Sequence, residues 1–428
     1  MDLRLVLSRS FSLVENLSPR WVAGVCSVFG LLGVFWLRGG LSASDLAAGP
    51  LSISLFIPFT ACALYLFFLT VTGRIGPNLN TIATLAIFLL TALGFVGYLN
   101  EPLWHFYYDD PGRYSTYANF MVNQGTLWGN DAVSGVSANN AYFIDQPGYR
   151  YYLALMILVF GEETRLIQVV NLFVYLCSLL LLLSTFDRNS ETHNRLICVF
   201  FVFSMPYAAH NILEGLSEWL ALSLFFISVF AGKRNWKLFA LICLALMPIV
   251  RQNLLFLACC YASLLCVIEP NRTKQSLYAV FFLALTLLPL YHNLIFADEW
   301  RLLSSNKGNI ISWGQSLGQI MRTLGEIMYR KLPQYIGYYE TASTARTIVT
   351  VIFAPLGTWL VGYYLLCFRG FPKFLLFLTS LIVVVPTTLF GWGYFPRFVF
   401  ANLALILSSI PLILYFAKYR ADRLLSMG

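Results

Sequence analysis

The chain reads as an all-α polytopic membrane protein, with about twelve membrane-crossing helices and interfacial helices in two long outer loops. Composition is the first reason: the 428 residues are 58% hydrophobic and 11% charged, with mean hydropathy +0.71, whereas a soluble domain carries roughly 25% charged residues. The second is that apolar runs recur at the ~20-residue length a helix needs to cross the hydrocarbon core. The third is that Lys and Arg collect in alternate connections, as the positive-inside rule requires. This arrangement accounts for the net charge of +8, because the cations stand singly or in small groups between apolar runs. Nucleic-acid binding is therefore excluded from the expectations. The 9 cysteines lie mostly inside apolar runs and show no metal-ligand spacing, so they read as small hydrophobes.

In chain order the expected spans are 21–38, 51–72, 80–99, 165–186, 195–209, 215–232, 237–250, 252–268, 276–296, 345–367, 373–391 and 398–417. Residues 1–20 hold Asp2 and Glu15 and no small-residue cleavage pattern follows, so the first run is expected to be an uncleaved span. With the N terminus inside, the inner connections hold Arg74, Arg188, Arg195, Lys233, Arg234, Lys237, Arg272, Lys274, Arg369 and Lys373, and the tail adds Lys418, Arg420 and Arg423. The short outer connections hold only Arg251 and Arg397. The piece 149–160, "YRYYLALMILVF", is too short to span, and treating it as a span would move most later cations outside. It is expected to be an interfacial or re-entrant helix. Loops 100–164 and 297–344 face outward and are rich in Trp and Tyr, and loops of that length are uncommon unless they serve function. Residues 1–79 form a two-span addition to a module covering 80–428.

Ionisable groups at or within spans are costly and mark sites by default. On the predicted outer face stand Asp109 and Asp110 after the third span, Arg165 opening the fourth, and Glu214 and Glu218 opening the sixth. Arg251 lies between the seventh and eighth, His292 near the end of the ninth, and Arg397 opens the last. A carboxylate that takes a proton and guanidinium groups that hold a phosphate suit an anionic, lipid-linked substrate. Each residue also has a plainer explanation. Asp109 and Asp110 before Pro111 and Gly112 suit a turn that caps a helix starting near Tyr114. Glu214 suits a first-turn acid, with Glu218 deeper in its span beyond a break at 206–211. Arg165 and Arg397 suit snorkelling, and His292 a satisfied helix-end histidine.

The order of these features resembles the GT-C superfamily of integral-membrane glycosyltransferases, the group of protein O-mannosyltransferases and lipid A aminoarabinose transferases. "DDPGRYSTYA" is similar to the family's acidic first outer loop, with Asp110 four residues before Tyr114. "DQPGYRYYLALMILVFGEETRL" resembles its Pro-containing aromatic short helix and the Arg-Leu that opens the next span, here with Gln146, Pro147, Tyr151 and Arg165. "LEGLSEWLALSLFFISVF", "MPIVRQNLLF" and "GYFPRFVFANLALIL" resemble the acid-led span, the Arg atop a short helical pair, and the aromatic-Pro-Arg entry to the last span. The likeness runs from about residue 80 to 417, and Gln-Pro-Gly stands where relatives often carry paired prolines.

This resemblance implies a sugar donor linked to polyprenyl phosphate, and an acceptor hydroxyl on a glycan, lipid or protein. It also implies an active site facing outward from a bacterial inner membrane. Asp110 or Asp109 is then the base of a single inverting displacement. Arg397 and Arg251 are candidates for the phosphate, Arg165 orders the loop, and Glu218 orients the acceptor or the base. Tyr114 and His292 join the substrate-binding set. A divalent cation is compatible with the family, with Asp110 and Glu218 as oxygen ligands. No Gly-rich nucleotide unit is present in the sequence, in keeping with a lipid-linked donor. The alternatives are an outer-face glycan polymerase or ligase, favoured by the basic 297–344 loop, and a lipid or glycan transporter, which intramembrane charges also serve.

Overall fold

A computed structural model describes residues 147–161, 164–186, 215–297, 316–326, 344–390 and 396–425, with isolated positions at 114–123, 197–212, 300 and 335. The expected spans 21–38, 51–72 and 80–99, and the acids Asp109, Asp110 and Glu214, lie outside the described residues. Among the described residues the architecture is all-helical, without strands. In order come α1 (Pro147–Phe160), α2 (Thr164–Leu183), α3 (Glu218–Lys233) and α4 (Lys237–Val250). A single 3-10 turn, Gln252–Leu254, leads into α5 (Leu255–Val267), followed by α6 (Arg272–Thr286) and α7 (Leu288–Ala297). Then come α8 (Leu317–Glu326), α9 (Thr344–Cys367), α10 (Phe371–Phe390) and α11 (Pro396–Leu425).

The core is built around α3, whose sequence is apolar on every side. A helix of that kind has to be enclosed, and α3 packs against α2, α4 and α11. Its Trp219, Phe225, Phe226 and Val229 are buried. Three serines buried in the bundle satisfy themselves locally: Ser228, Ser408 and Ser409 donate to the carbonyls of Phe225, Leu405 and Ile406. α9 approaches α11 through Gly357, where an added Cβ would stand 2.7 Å from Phe200 and 2.9 Å from Leu403.

At the other end of α3 and α4 the charges are tied down. Lys237 pairs with Glu269 at 2.9 Å and also donates to the Ile268 carbonyl, joining the start of α4 to the turn between α5 and α6. Lys233 donates to the carbonyl of Thr185. Asn271 caps α6 by accepting from the Lys274 N–H.

Among the described residues, two helical stretches, Arg272–His292 and Phe398–Arg420, are long and apolar enough to cross a membrane. The second is largely enclosed by the bundle, whereas the first is largely exposed. Leu277, Val280, Leu283 and Ile295 on α6 and α7 are uncovered.

Among the described residues most expected helix limits fall within a few residues of the observed ones, and two differ. The span expected at 276–296 begins at Arg272 and divides at Leu287 into α6 and α7. The last helix continues to Leu425, because its charged end projects past the apolar run that set the expected limit. The loop expected at 297–344 contains α8, a helix of the sort expected in the long loops. Within the break expected at 206–211, Ala208 and Asn211 are helical and the other positions lie outside the described residues.

Candidate functional site

Two chain reversals bring the site together. Asn211 and Ile212 end a helix whose carbonyls accept from Leu216 N (3.1 Å) and Gly215 N (3.0 Å). Gly215 takes φ +76, the left-handed turn that this pattern of helix ending demands and that glycine adopts without a steric penalty. The chain restarts at once with Ser217 and Glu218, so Glu218 opens α3. It is therefore the first-turn acid, a place where the helix dipole favours negative charge. The expectation that Glu218 lay deeper in the span is corrected, while Glu214 lies outside the described residues.

The second reversal follows α4. Pro248, inside the last turn, offers no N–H to the ladder. Arg251 then leaves helical geometry for an extended conformation (φ −141, ψ 102) before the turn Gln252–Leu254. α1 presses on this same corner, because a Cβ on Gly148 would lie 2.9 Å from the backbone of Ile249.

Arg251 is nine-tenths buried, and its guanidinium faces the start of α3. Nη2 lies 3.2 Å from Glu218 Oε1, and Nη1 donates to Ser217 Oγ at 3.4 Å. Its Cζ stands 5.6 Å from the ring centre of Phe398, the residue after Arg397. Removing two ions from water costs several kcal/mol each, which this pairing offsets in part. Beside the pair is an aromatic cluster. Trp219 Nε1 donates to Tyr149 Oη at 3.4 Å, and Tyr114 meets Tyr149 edge-on at 5.1 Å. Tyr152 packs edge-on against Trp219 at 5.6 Å and donates to Asn171 Oδ1 at 2.7 Å. Burial pushes the Tyr151 hydroxyl up to about 12 and holds that of Tyr149 higher still. Both phenols stay protonated at neutral pH and serve as hydrogen-bond partners, not as bases.

Of the residues singled out in the sequence, Glu218, Arg251 and Tyr114 thus converge. His292 is on α7, where its Nε2 and the Tyr151 hydroxyl are 2.7 Å apart, which ties α7 to α1. Arg165 and Arg397 occupy the first turns of α2 and α11, and their side chains lie outside the described residues. Sequence reasoning missed Ser217, Tyr149, Tyr152 and Trp219. It also missed a polar track, in which Asn253 donates to Thr387 (3.3 Å), Thr387 to Asn402 (3.3 Å), and Asn402 to the Tyr335 hydroxyl (2.6 Å). This track leads from the Arg251 corner across α10 and α11 to the 297–344 segment. Its members have ordinary polar side chains in apolar runs, and that polarity is the signal that was available.

The described residues do not form a cation site. Glu218 is the one carboxylate among those of the cluster, and a guanidinium already faces it. No group of three or more His, Cys, Asp or Glu that could hold a metal occurs among the described residues. No protein-family model, curated protein or solved structure matches this chain.

Proposed function

We propose that the chain is a multi-pass membrane glycosyltransferase of the GT-C kind. It moves a sugar from a polyprenyl-phosphate donor to a hydroxyl of a glycan, lipid or protein on the outer face of a bacterial plasma membrane. Support for the membrane setting comes from the uncovered apolar side chains of α6, α7 and α10, since clustered exposed apolar groups mark membrane or partner contacts. Support for the chemistry comes from one observation above all. The buried Arg251–Glu218 pair lies in a cluster that includes Tyr114, four residues after Asp110.

In this reading the acceptor hydroxyl oxygen attacks the anomeric carbon while the bond from that carbon to the phosphate oxygen breaks. The hydroxyl proton passes to Asp110 or Asp109, and the lipid phosphate departs carrying the negative charge. Arg251 is a fixed cation in a desolvated corner, with Arg397 opening the adjacent helix. Preorganised groups of this type stabilise developing charge without reorganising at the moment of reaction. Glu218 holds the Arg251 fork in place, which makes it a positioning residue. No metal enters the scheme.

The test is transfer of labelled sugar from a polyprenyl-phosphate donor in membrane vesicles. Loss of a general base typically costs about 100- to 10,000-fold, so Asp110→Asn or Asp109→Asn should lose transfer to that extent while inserting normally. Near-normal transfer in both variants would overturn the assignment.

A further inference from the structure

We infer that the groove between α9 and α10 at their cytoplasmic ends binds an anionic glycerophospholipid of the inner leaflet. An acyl chain lies along Leu366, Phe374 and Phe377, and the headgroup phosphate meets Lys373. The groove has a volume of about 700 Å³ and is lined by these residues with Gly362, Leu365 and Gly370. Its apolar walls are uncovered: Leu366 is 82% exposed, Phe374 57% and Phe377 52%. Lys373 is the single charged residue of the lining.

Three features point to a lipid with a negative headgroup. First, Lys373 at the mouth and Arg369 beside it have no counter-charge nearby in sequence. Residues 341–421 contain no Asp or Glu, and the first acid beyond them, Asp422, neighbours Lys418 and Arg420 instead. Arg420 stacks 4.8 Å over the ring of Phe371. Second, the floor is kept low without a packing reason. A Cβ on Gly362 would meet nothing within 4 Å, although glycine weakens a helix interior, so its effect is to leave the groove open. Third, the apolar slot and the cationic rim adjoin, which matches an amphiphile whose phosphate and chain are covalently joined. A partner helix would fill the slot and leave the cations unanswered. Basic residues at the inner surface attract anionic lipid.

The inference goes beyond sugar transfer and rests only on the membrane part of the reading above. Failure of the transfer assay leaves it standing, and failure of lipid retention leaves the transfer reading standing. The experiment uses the purified full chain in neutral detergent, titrated with phosphatidylglycerol or phosphatidylcholine of matched acyl chains, with retained lipid read by native mass spectrometry. Phosphatidylglycerol should be retained preferentially. Lys373→Ala should weaken its retention about fivefold, the worth of one basic residue at a lipid surface, and leave phosphatidylcholine unchanged. Gly362→Leu, at a position with room for a side chain, should weaken both lipids. Excess inorganic phosphate should fail to displace the lipid, because the chain anchors it. Equal retention of the two lipids by the unaltered protein would overturn the inference. So would phosphatidylglycerol retention that neither substitution changes, displacement by inorganic phosphate alone, or a second protein chain occupying the groove.

Discussion

At the scale of single residues, the pairing of Arg251 with Glu218 organises the site. Truncating one member of a buried ion pair leaves the other charge uncompensated, typically at about 3–5 kcal/mol. Arg251→Met and Glu218→Gln should therefore each lower thermal stability in detergent, and the double variant should recover part of the loss. Strictly additive losses in that cycle would show that the two side chains do not act as a pair. The members of this pair were legible in the sequence as charges on one predicted face. Their contact was not, because 33 positions separate them (251 − 218) and the turn at Asn235, which folds α4 back along α3, is what brings them together. Glu218 was misplaced for a local reason. Its position depends on a left-handed glycine, and the broad apolar run around it hides that turn. Tyr149, Tyr152 and Trp219 were not singled out, since an aromatic stripe looks the same whether it faces lipid or a site.

At the scale of elements, two contacts hold helices in register and can be tested separately. α1 reaches the Arg251 corner only because Gly148 lacks a side chain. Gly148→Ala places a methyl against the Ile249 backbone, and overpacking of this kind costs about 1–3 kcal/mol. Transfer activity should fall with stability, while a change to Ala at Gly161, where a Cβ meets nothing, should produce backbone strain without displacing α1. At the opposite end, the Lys237 side chain donates to Glu269 and holds its carboxyl below the ordinary value of 4.5. A carboxylate with a lowered folded pKa stabilises fully above the unfolded value, and the contribution disappears as pH falls through the folded one. Unfolding followed between neutral and strongly acidic pH should lose part of its acid sensitivity in Glu269→Gln. An unchanged profile would remove this pair from the account. Helix existence and most limits were readable from the apolar runs and the alternation of charge. The split at Leu287 went unread in an unbroken apolar run, although Pro289, which has no N–H to continue the ladder, marks it.

At the scale of the whole molecule, the proposed orientation fixes which surfaces meet which compartment. Trp236, exposed between α3 and α4, belongs inside, and Gln319, exposed on α8, belongs outside. With exposed Cys367 replaced, Trp236→Cys in intact cells should react only with a membrane-permeant maleimide, and Gln319→Cys with an impermeant one as well. Reversed labelling would place the Arg251 corner in the cytosol and end the transferase reading. A last property follows from the length of α4. Its 14 residues rise about 21 Å at 1.5 Å each, against roughly 30 Å of hydrocarbon. With Lys237 moored at the inner headgroups, the far end stops well short of the opposite surface. Arg251 would then wait at the bottom of a well several ångströms deep, which on the proposed reading a long isoprenoid enters sideways from the bilayer.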